Sequence, residues 1–221
     1  MVLIASFIQN MGREIAARTY EHLYLTFLAM LMAVSIALPL GIYLTRTRWK
    51  KLETLVMNFA NTIQTIPSLA LVALIVIIFA LIRLPTIGIF PGITALVLYA
   101  LLPILRNTYT GIKQTDPAVI EVAKGMGMTS NQILFSVELP LSLPVIMAGI
   151  RISTVWTIGV AALLSLIGAG GLGDLIMRGL RTIRMDYLIA GTVPAACLAL
   201  IADSILGRVE KWLVPEGIRE T

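Results

Sequence analysis

Long apolar stretches without charge dominate the pattern along this chain. Three of them follow one another closely, over residues 23–45, 54–82 and 84–105. Each is long enough to cross the hydrocarbon core of a bilayer as a helix, which takes roughly 20 residues. Two more spans are predicted over residues 143–166, with Arg151 in the first turns, and over residues 187–207, with Asp203 close to the end. The pattern therefore predicts an all-α integral membrane protein with about five transmembrane helices.

The segment before the first span has a different pattern. Apolar residues recur there at helical spacing, at positions 4, 7, 8, 11 and 15, with charged residues on other faces. This is typical of a helix lying in the membrane interface, so residues 1–22 are predicted as an N-terminal interfacial segment that ends at His22. We expect no removed signal peptide, since neither an early basic stretch nor a small-residue cleavage site is present.

Composition narrows the class of protein. Hydrophobic residues make up 58% of the 221-residue chain and charged residues 13%, whereas a soluble domain carries about a quarter charged residues. The spans fill this length and leave no room for a soluble enzyme domain. The one cysteine, Cys197, excludes an intrachain disulfide and a cysteine metal cluster. We expect a transport subunit without metal or cofactor, whose net charge of +5 reflects basic loops at membrane lipid rather than nucleic acid.

A polar insert, residues 112–140, separates the third and fourth apolar segments. Asp116 and Pro117 are typical of an N-cap followed by the first residue of a helix. Gly125 and Gly127 are expected to end that helix. The insert therefore begins with a short helix and a glycine turn.

A second short helix is predicted in the same insert. Thr129 and Gln132 form the T-x-x-Q pattern of a capping box, and Pro140 is expected to end the helix. The local pattern alone also fits an ordinary solvated helical hairpin.

The spacing of the insert points further. The residues Glu121, Ala123, Gly127, Leu139 and Pro140 match the pattern E-A-A, three residues, G, nine residues, I-x-L-P. Val122 and Val137 depart from it, and both keep a small or apolar side chain. This resembles the coupling motif of permease subunits of binding-protein-dependent ABC importers. The resemblance implies a cytoplasmic coupling helix that docks into a separate ATP-hydrolysing subunit.

Four blocks sharpen the resemblance to the osmoprotectant permeases, which carry glycine betaine, carnitine or choline: residues 64–71, 99–111, 137–151 and 167–173. It extends over residues 23–207, the predicted permease domain, which a cytoplasmic tail over 208–221 follows. The resemblance implies two ATPase subunits, a second permease subunit, identical or distinct, and an extracytoplasmic solute-binding protein. The location implied is the bacterial cytoplasmic membrane.

Two alternatives stay open. One is a permease for methionine or another amino acid. The other is a stand-alone channel or secondary carrier, which predicts mid-span charges that couple ions and inverted repeats. The placement of Arg151 and Asp203 towards span ends argues against the second alternative.

A cytoplasmic coupling loop and five spans place the N-terminus outside and the C-terminus inside. The first connecting loop then faces the cytoplasm, and its basic residues agree with the positive-inside rule: Arg46, Arg48, Lys50 and Lys51. Three arginines in the last external loop disagree, namely Arg178, Arg181 and Arg184. Their spacing predicts one face of a short helix. We interpret them as contacts to the binding protein, with anionic headgroups as the alternative.

The same external loop contains a glycine run. Residues 168–173 match the G-x-G-x-x-G dinucleotide pattern, but they follow a predicted span rather than a strand. No Walker A sequence is present. We interpret the glycines as a tight turn.

Three residues are candidates for the translocation path. Gln64 and Ser68, four residues apart, are predicted to share a helix face in the second span. Pro67 between them kinks the helix, and the freed carbonyl needs a partner. Interhelical hydrogen bonding is the alternative role for both. Trp156, mid-span, suits a cation–π contact with a quaternary ammonium group, or packing.

Overall fold

The computed structural model describes residues 2–214, and within them the chain is helical throughout, without strands. Nine α-helices follow in order: α1 Val2–Arg46, α2 Lys50–Thr65, α3 Ser68–Leu81, α4 Ile89–Lys113, α5 Pro117–Gly125, α6 Ser130–Ile133, α7 Leu139–Ala161, α8 Gly173–Thr182 and α9 Met185–Leu213. A π-helical turn, Leu134–Glu138, joins α6 to α7, and a 3-10 turn, Ala162–Ile167, follows α7. The all-α prediction is confirmed.

Four helical segments in the described part of the chain are long and apolar enough to cross a membrane: Met11–Arg46, Ile89–Lys113, Ser130–Ile167 and Met185–Leu213. The pair formed by α2 and α3 also qualifies when it is taken as one segment, although the two helices are bent by 111°.

The contacts of this bent pair run along the whole of α4. Three contacts follow α4 from its last turns to its first: Glu53 with Tyr109, Ile66 with Tyr99, and Phe79 with Phe90. Helix α2 therefore covers the C-terminal half of α4 and α3 covers the N-terminal half. Counted as one broken span, the pair gives the five spans that the sequence predicts.

The break lies at Ile66 and Pro67. Proline has no N–H for the helix ladder and pushes the residue before it towards extended backbone, and Ile66 has φ −74° and ψ 125°. The carbonyl freed by Pro67 is that of Ile63, and it accepts instead from the backbone N–H of Ile66 at 3.2 Å. The hydroxyl of Tyr99 donates a hydrogen bond to the carbonyl oxygen of Ile66 at the break. The predicted kink is in fact a complete break. Gln64 lies in the last turn of α2 and Ser68 is the first residue of α3. The prediction that they share one helix face is therefore wrong.

Helix α1 runs without interruption through the predicted boundary at residue 22. His22 is fully buried, and its Nε2 lies 2.9 Å from the carbonyl oxygen of Ile158 in α7. Gly171 covers the other side of the ring, where an added Cβ would lie 3.1 Å from Nδ1. The interfacial position expected for His22 is therefore wrong. At the other end α9 continues past residue 208 to Leu213, and residues 215–221 of the predicted tail lie outside the described residues.

Helix α7 packs antiparallel to α4, and this register sets the depth of Arg151. Two contacts define it: Gly149 against Asn107, and Ser153 Oγ against the carbonyl oxygen of Ala100. Arg151 lies between them and is therefore level with the middle of α4. The expectation that it lies towards a span end is wrong, because helical structure starts at Ser130, well before residue 143.

Candidate functional site

The first helix of the polar insert forms as its caps predict. The Asp116 side chain accepts a hydrogen bond from the backbone N–H of Ala118 at 2.8 Å, and Pro117 opens α5. Helix α5 ends at Gly125, and Gly127 turns the chain with φ +81°. That left-handed backbone favours glycine because it has no Cβ. The predicted helix and glycine turn are confirmed.

The capping box is also confirmed. The backbone N–H of Thr129 donates to Gln132 Oε1 at 2.8 Å, and the backbone N–H of Gln132 donates to Thr129 Oγ1 at 3.4 Å. Together they start α6 at Ser130.

Pro140 does not end this second helix. The backbone N–H of Leu139 reaches Leu134, five residues back, so the ladder widens into a π-helical turn just before the proline. Pro140 then lies in the first turn of α7, where a missing N–H costs little. The prediction of a separate second helix is wrong, since helical structure runs from residue 130 to residue 167 as one span.

The coupling-motif residues divide between two environments. Glu121 and Gly127 are exposed, Ala123 is buried, and Leu139 and Pro140 are half-buried at the start of α7. Four large apolar side chains of the same insert are also exposed, and we call them the coupling surface: Val119, Val122, Met126 and Phe135. Met126 is 77% exposed and Val122 is 64% exposed, so the described part of the chain leaves most of both side chains uncovered. A surface of this kind suits a protein partner.

An ion pair anchors the motif from behind. Glu138, inside the π-helical turn, is only 4% exposed, and its carboxylate pairs with the guanidinium of Arg46 at the end of α1. The sequence pattern does not indicate this contact, since Arg46 has the features of an ordinary basic residue of a cytoplasmic loop. An acid directly before Leu139 and Pro140, among apolar neighbours, is the feature that could have indicated it.

Polar contacts hold the glycine loop, which is predicted to be external, against helix α1. Glu21 accepts a hydrogen bond from the backbone N–H of Gly171 at 2.9 Å. Arg18 pairs with Glu21 at 2.8 Å and with Asp174 at 2.9 Å. Gly168 and its neighbours at 170 and 171 all have positive φ, so the predicted tight turn is confirmed.

The three external arginines are not equivalent. Arg178 pairs with Glu14 at 2.8 Å, and its guanidinium lies 5.1 Å from the Tyr187 ring centroid. Arg184 pairs with Asp186 and also stacks on Tyr187, at 4.6 Å.

Of these three arginines, only Arg181 is exposed without an ion pair among the residues that the structure describes. Ile183, with φ 54°, ends α8 at Thr182, so Arg184 lies outside that helix. The prediction of one helix face is therefore wrong for Arg184 and applies to Arg178 and Arg181 alone.

Arg151 has two acidic partners on α9. Its Nε and Nη2 donate to the two carboxylate oxygens of Asp203 at 3.0 and 3.1 Å, and its Nη1 donates to Glu210 at 2.8 Å. Both acids come from α9 because that helix packs beside α7 at this depth.

The path candidates lie in two places. Gln64 and Ser68 are half-buried on either side of the break between α2 and α3. Trp156 is 56% exposed and lines a cleft of about 280 Å³ together with Arg151 and Asp203. A packing role within this chain therefore does not account for Trp156.

Comparisons with known proteins agree with the motif. Residues 37–215 match the family described as binding-protein-dependent transport system inner membrane component. A carnitine transport permease protein of Listeria monocytogenes is 43% identical over 220 residues, which cover 100% of this chain and 97% of that protein. A glycine betaine/carnitine/choline transport system permease protein of Bacillus subtilis (strain 168) is 44% identical over 214 residues, covering 97% and 95%.

A solved structure shares the fold. A methionine ABC transporter in an inward-facing conformation superposes with a TM-score of 0.80 at 25% identity, over 91% of this chain and 97% of that chain.

Proposed function

The chain belongs to the family of inner membrane components of binding-protein-dependent transport systems, and we propose that its cargo is an osmoprotectant with a quaternary ammonium group. Membership makes it a multi-pass permease of an ABC importer in the inner membrane. It is a transport subunit and not an enzyme. We assign residues 23–207 to the permease domain.

Sequence likeness supports this cargo over an amino acid. The relatives named for carnitine, glycine betaine and choline transport are 43–44% identical to this chain over nearly its whole length. The methionine transporter shares 25%. The five-span fold is common to both groups, so it does not by itself separate them.

The observation that carries the transport mechanism is the coupling surface. It presents Val122 and Met126 around the charge of Glu121, beside a turn at Gly127 where no side chain obstructs an approaching partner. We infer that a cytoplasmic ATPase subunit docks here and supplies ATP hydrolysis, since this chain has no Walker A sequence. A second permease subunit completes the path, and an extracytoplasmic binding protein delivers the solute.

The remaining site residues take roles in this scheme. Gln64 and Ser68, at the broken span, and Trp156 are proposed to line the path, because broken helices in transporters are tolerated where they border a cavity. Arg181, with Arg178 and Arg184 beside it, is proposed to meet the binding protein outside.

Reconstitution tests this function. The permease is purified with its ATPase subunits and placed in proteoliposomes with ATP inside and the binding protein outside. Uptake of labelled glycine betaine, carnitine and choline is compared with uptake of labelled methionine.

We expect ATP-dependent uptake of at least one quaternary ammonium solute. An otherwise identical preparation without ATP is the control. Uptake of methionine alone would transfer the chain to the amino-acid alternative, and uptake that ignores ATP would favour a stand-alone carrier.

A further inference from the structure

A charged cluster lies at mid-depth between α7 and α9. We call Arg151, Asp203 and Glu210 the α7–α9 cluster. Its side chains are 34%, 41% and 23% exposed in the isolated subunit. The register of α7 on α4 places Arg151 level with the middle of the span. Ionised groups at this depth face water or protein rather than lipid, and they mark functional pathways.

The cluster carries a net negative charge, since two carboxylates share one guanidinium. Asp203 is the most exposed member and holds the guanidinium through both oxygens. Gly207 lies beside the guanidinium, since an added Cβ would lie 3.5 Å from Arg151 Cζ, at ordinary van der Waals distance. The cationic residues Arg208 and Lys211 line the adjoining cleft, which also contains Glu210, one to two turns further along α9. Asp203 is therefore the carboxylate of the cluster that borders the cleft lined by Trp156.

An aromatic face completes the cleft on that side. Trp156 lies on the same face of α7 as Ile152, four residues before it, and both line the cleft with Asp203. Its indole is 56% exposed, so a large apolar face borders the cleft. An indole face and a carboxylate around one cleft form a pair that attracts cations with apolar substituents.

We propose that the cleft between Trp156 and Asp203 is a subsite of the translocation path, which receives the trimethylammonium group of the solute. The group passes against the indole face while the carboxylate balances its charge. Arg151 is a positioning residue that holds Asp203 towards the cleft. This inference rests on the proposed function, because it identifies where the permease itself contacts the solute.

Accessibility provides the first test, in the complete reconstituted transporter. Trp156→Cys is made in a Cys197→Ala background, because Cys197 is itself exposed. A methanethiosulfonate reagent bearing a trimethylammonium group is compared with its negatively charged sulfonate counterpart. Ile205→Cys is the control: residue 205 is half exposed and points about 200° away from Asp203 around α9.

We expect the ratio of cationic to anionic reaction rates to be about tenfold higher at Trp156→Cys than at the control position, whose ratio reports the reactivity of the two reagents with any thiolate. Adding Asp203→Asn lowers the ratio to that of the control position. Solute-loaded binding protein with ATP slows the reaction at Trp156→Cys and leaves the control position unchanged. Equal ratios at the two positions, or no protection by solute, would assign the cluster to helix pairing alone.

Transport provides the second test. Trp156→Leu should lower the uptake of quaternary ammonium solute about three- to tenfold, while Trp156→Phe retains most of it. The same change at Trp212, an exposed tryptophan at the far end of α9, should leave uptake unchanged. Unchanged uptake in Trp156→Leu refutes the subsite. Failure of the unmodified transporter to carry any quaternary ammonium solute refutes the proposed function instead, so the two failures are distinguishable.

Discussion

The two ends of this subunit differ in how far their charges are paired within the chain. At the end predicted to lie outside, the glycine loop and α8 are held to α1 by charges, with Glu21 on Gly171 and Arg18 on Asp174. At the end predicted to lie inside, Glu121 is exposed and has no ion pair in the described part of the chain. Both ends leave large apolar side chains uncovered, such as Ile183 at the outer end and Met126 at the inner end.

This difference separates internal from external contacts. Most charges of the outer end already have partners within the chain, and of its three arginines only Arg181 has none in the described residues. Covering the apolar side chains of the coupling surface with a partner stabilises the assembly by the hydrophobic effect. Ile183 and Met185 leave apolar area uncovered at the outer end as well. The pairing of charges therefore separates the two ends better than exposed apolar area does.

The predicted orientation of the two ends across the membrane can be tested with an all-or-none result. Single cysteines at Trp49 and at Arg181, in a Cys197→Ala background, should respond oppositely to an impermeant maleimide applied to intact cells. Both positions are exposed, and we expect labelling at 181 only, because Trp49 follows the inner end of α1.

The buried Gly179 is unsuitable for this purpose, since an added Cβ would lie 2.8 Å from the backbone nitrogen of Leu188. Labelling of position 49 from outside, with 181 protected, would invert the assignment of the two ends.

The coupling surface should give the next largest effect. Gly127→Trp blocks close approach at the turn and forces a side chain into left-handed backbone, at a cost of about 1–2 kcal/mol. Glu121→Ala removes the exposed charge. Each should lower ATP-driven uptake by about tenfold or more while the subunit stays folded, measured in proteoliposomes.

Gly125→Ala is the matched control, since Gly125 is helical and an added Cβ meets no other atom within 4 Å. Normal uptake in both test variants would remove the coupling surface from the mechanism.

Removing the ion pair between Arg46 and Glu138 tests how much this contact stabilises the inner end of the subunit. Arg46→Ala leaves a buried carboxylate without its partner, and we expect a loss of about 1–3 kcal/mol in the free energy of unfolding. The value is kept low because Arg46 is 40% exposed and water replaces part of the interaction. Thermal unfolding of the purified complex measures it.

Arg48→Ala removes an equally basic but exposed side chain two residues away, and should be neutral. Glu138→Gln should cost less than Arg46→Ala, because a neutral amide is less expensive to bury. If Arg46→Ala and Arg48→Ala melt together, the pair has no structural role.

The smallest effect is expected outside. Arg181→Gln should weaken stimulation of ATPase activity by the binding protein about two- to threefold at low salt, since charges at an interface rim act mainly on association rate. Arg178→Gln should do less, because Glu14 already offsets that charge. The difference should vanish at high salt as screening increases. A wild-type dependence on binding-protein concentration in both variants would assign these arginines to the lipid headgroups.

Local patterns predicted the local parts of this structure. Charge-free runs indicated the spans, and the Asp116 cap and the Thr129 capping box indicated where helices begin, because each depends on residues a few positions apart. Two of the errors involve contacts between distant residues. His22 meets Ile158 136 positions away, and Tyr99 satisfies the Ile66 carbonyl 33 positions away. Such contacts decide whether a proline kinks a helix or breaks it, and periodicity does not contain them.

The candidate site shows the same limit. Glu121 lies exposed on α5 and Gly127 lies in the exposed turn after it, as the local pattern predicts. The partners of Arg151 depend on which helix packs beside α7. Nothing in the sequence pattern indicates that this helix is α9, which carries Asp203 and Glu210. The cleft at Trp156 follows from this packing, so the pattern indicated the residue but not its surroundings.

The π-helical turn before Pro140 gives the motif spacing a rotational meaning. A π turn accommodates one residue more than an α-helical ladder would, and one residue corresponds to about 100° of rotation about a helix axis. Deleting a residue from the turn Leu134–Glu138 would restore a regular ladder. It would also swing Phe135 and the glycine turn roughly a quarter circle around the axis of the fourth span. The nine residues between Gly127 and the motif's last block thus specify the azimuth at which the subunit presents its docking face.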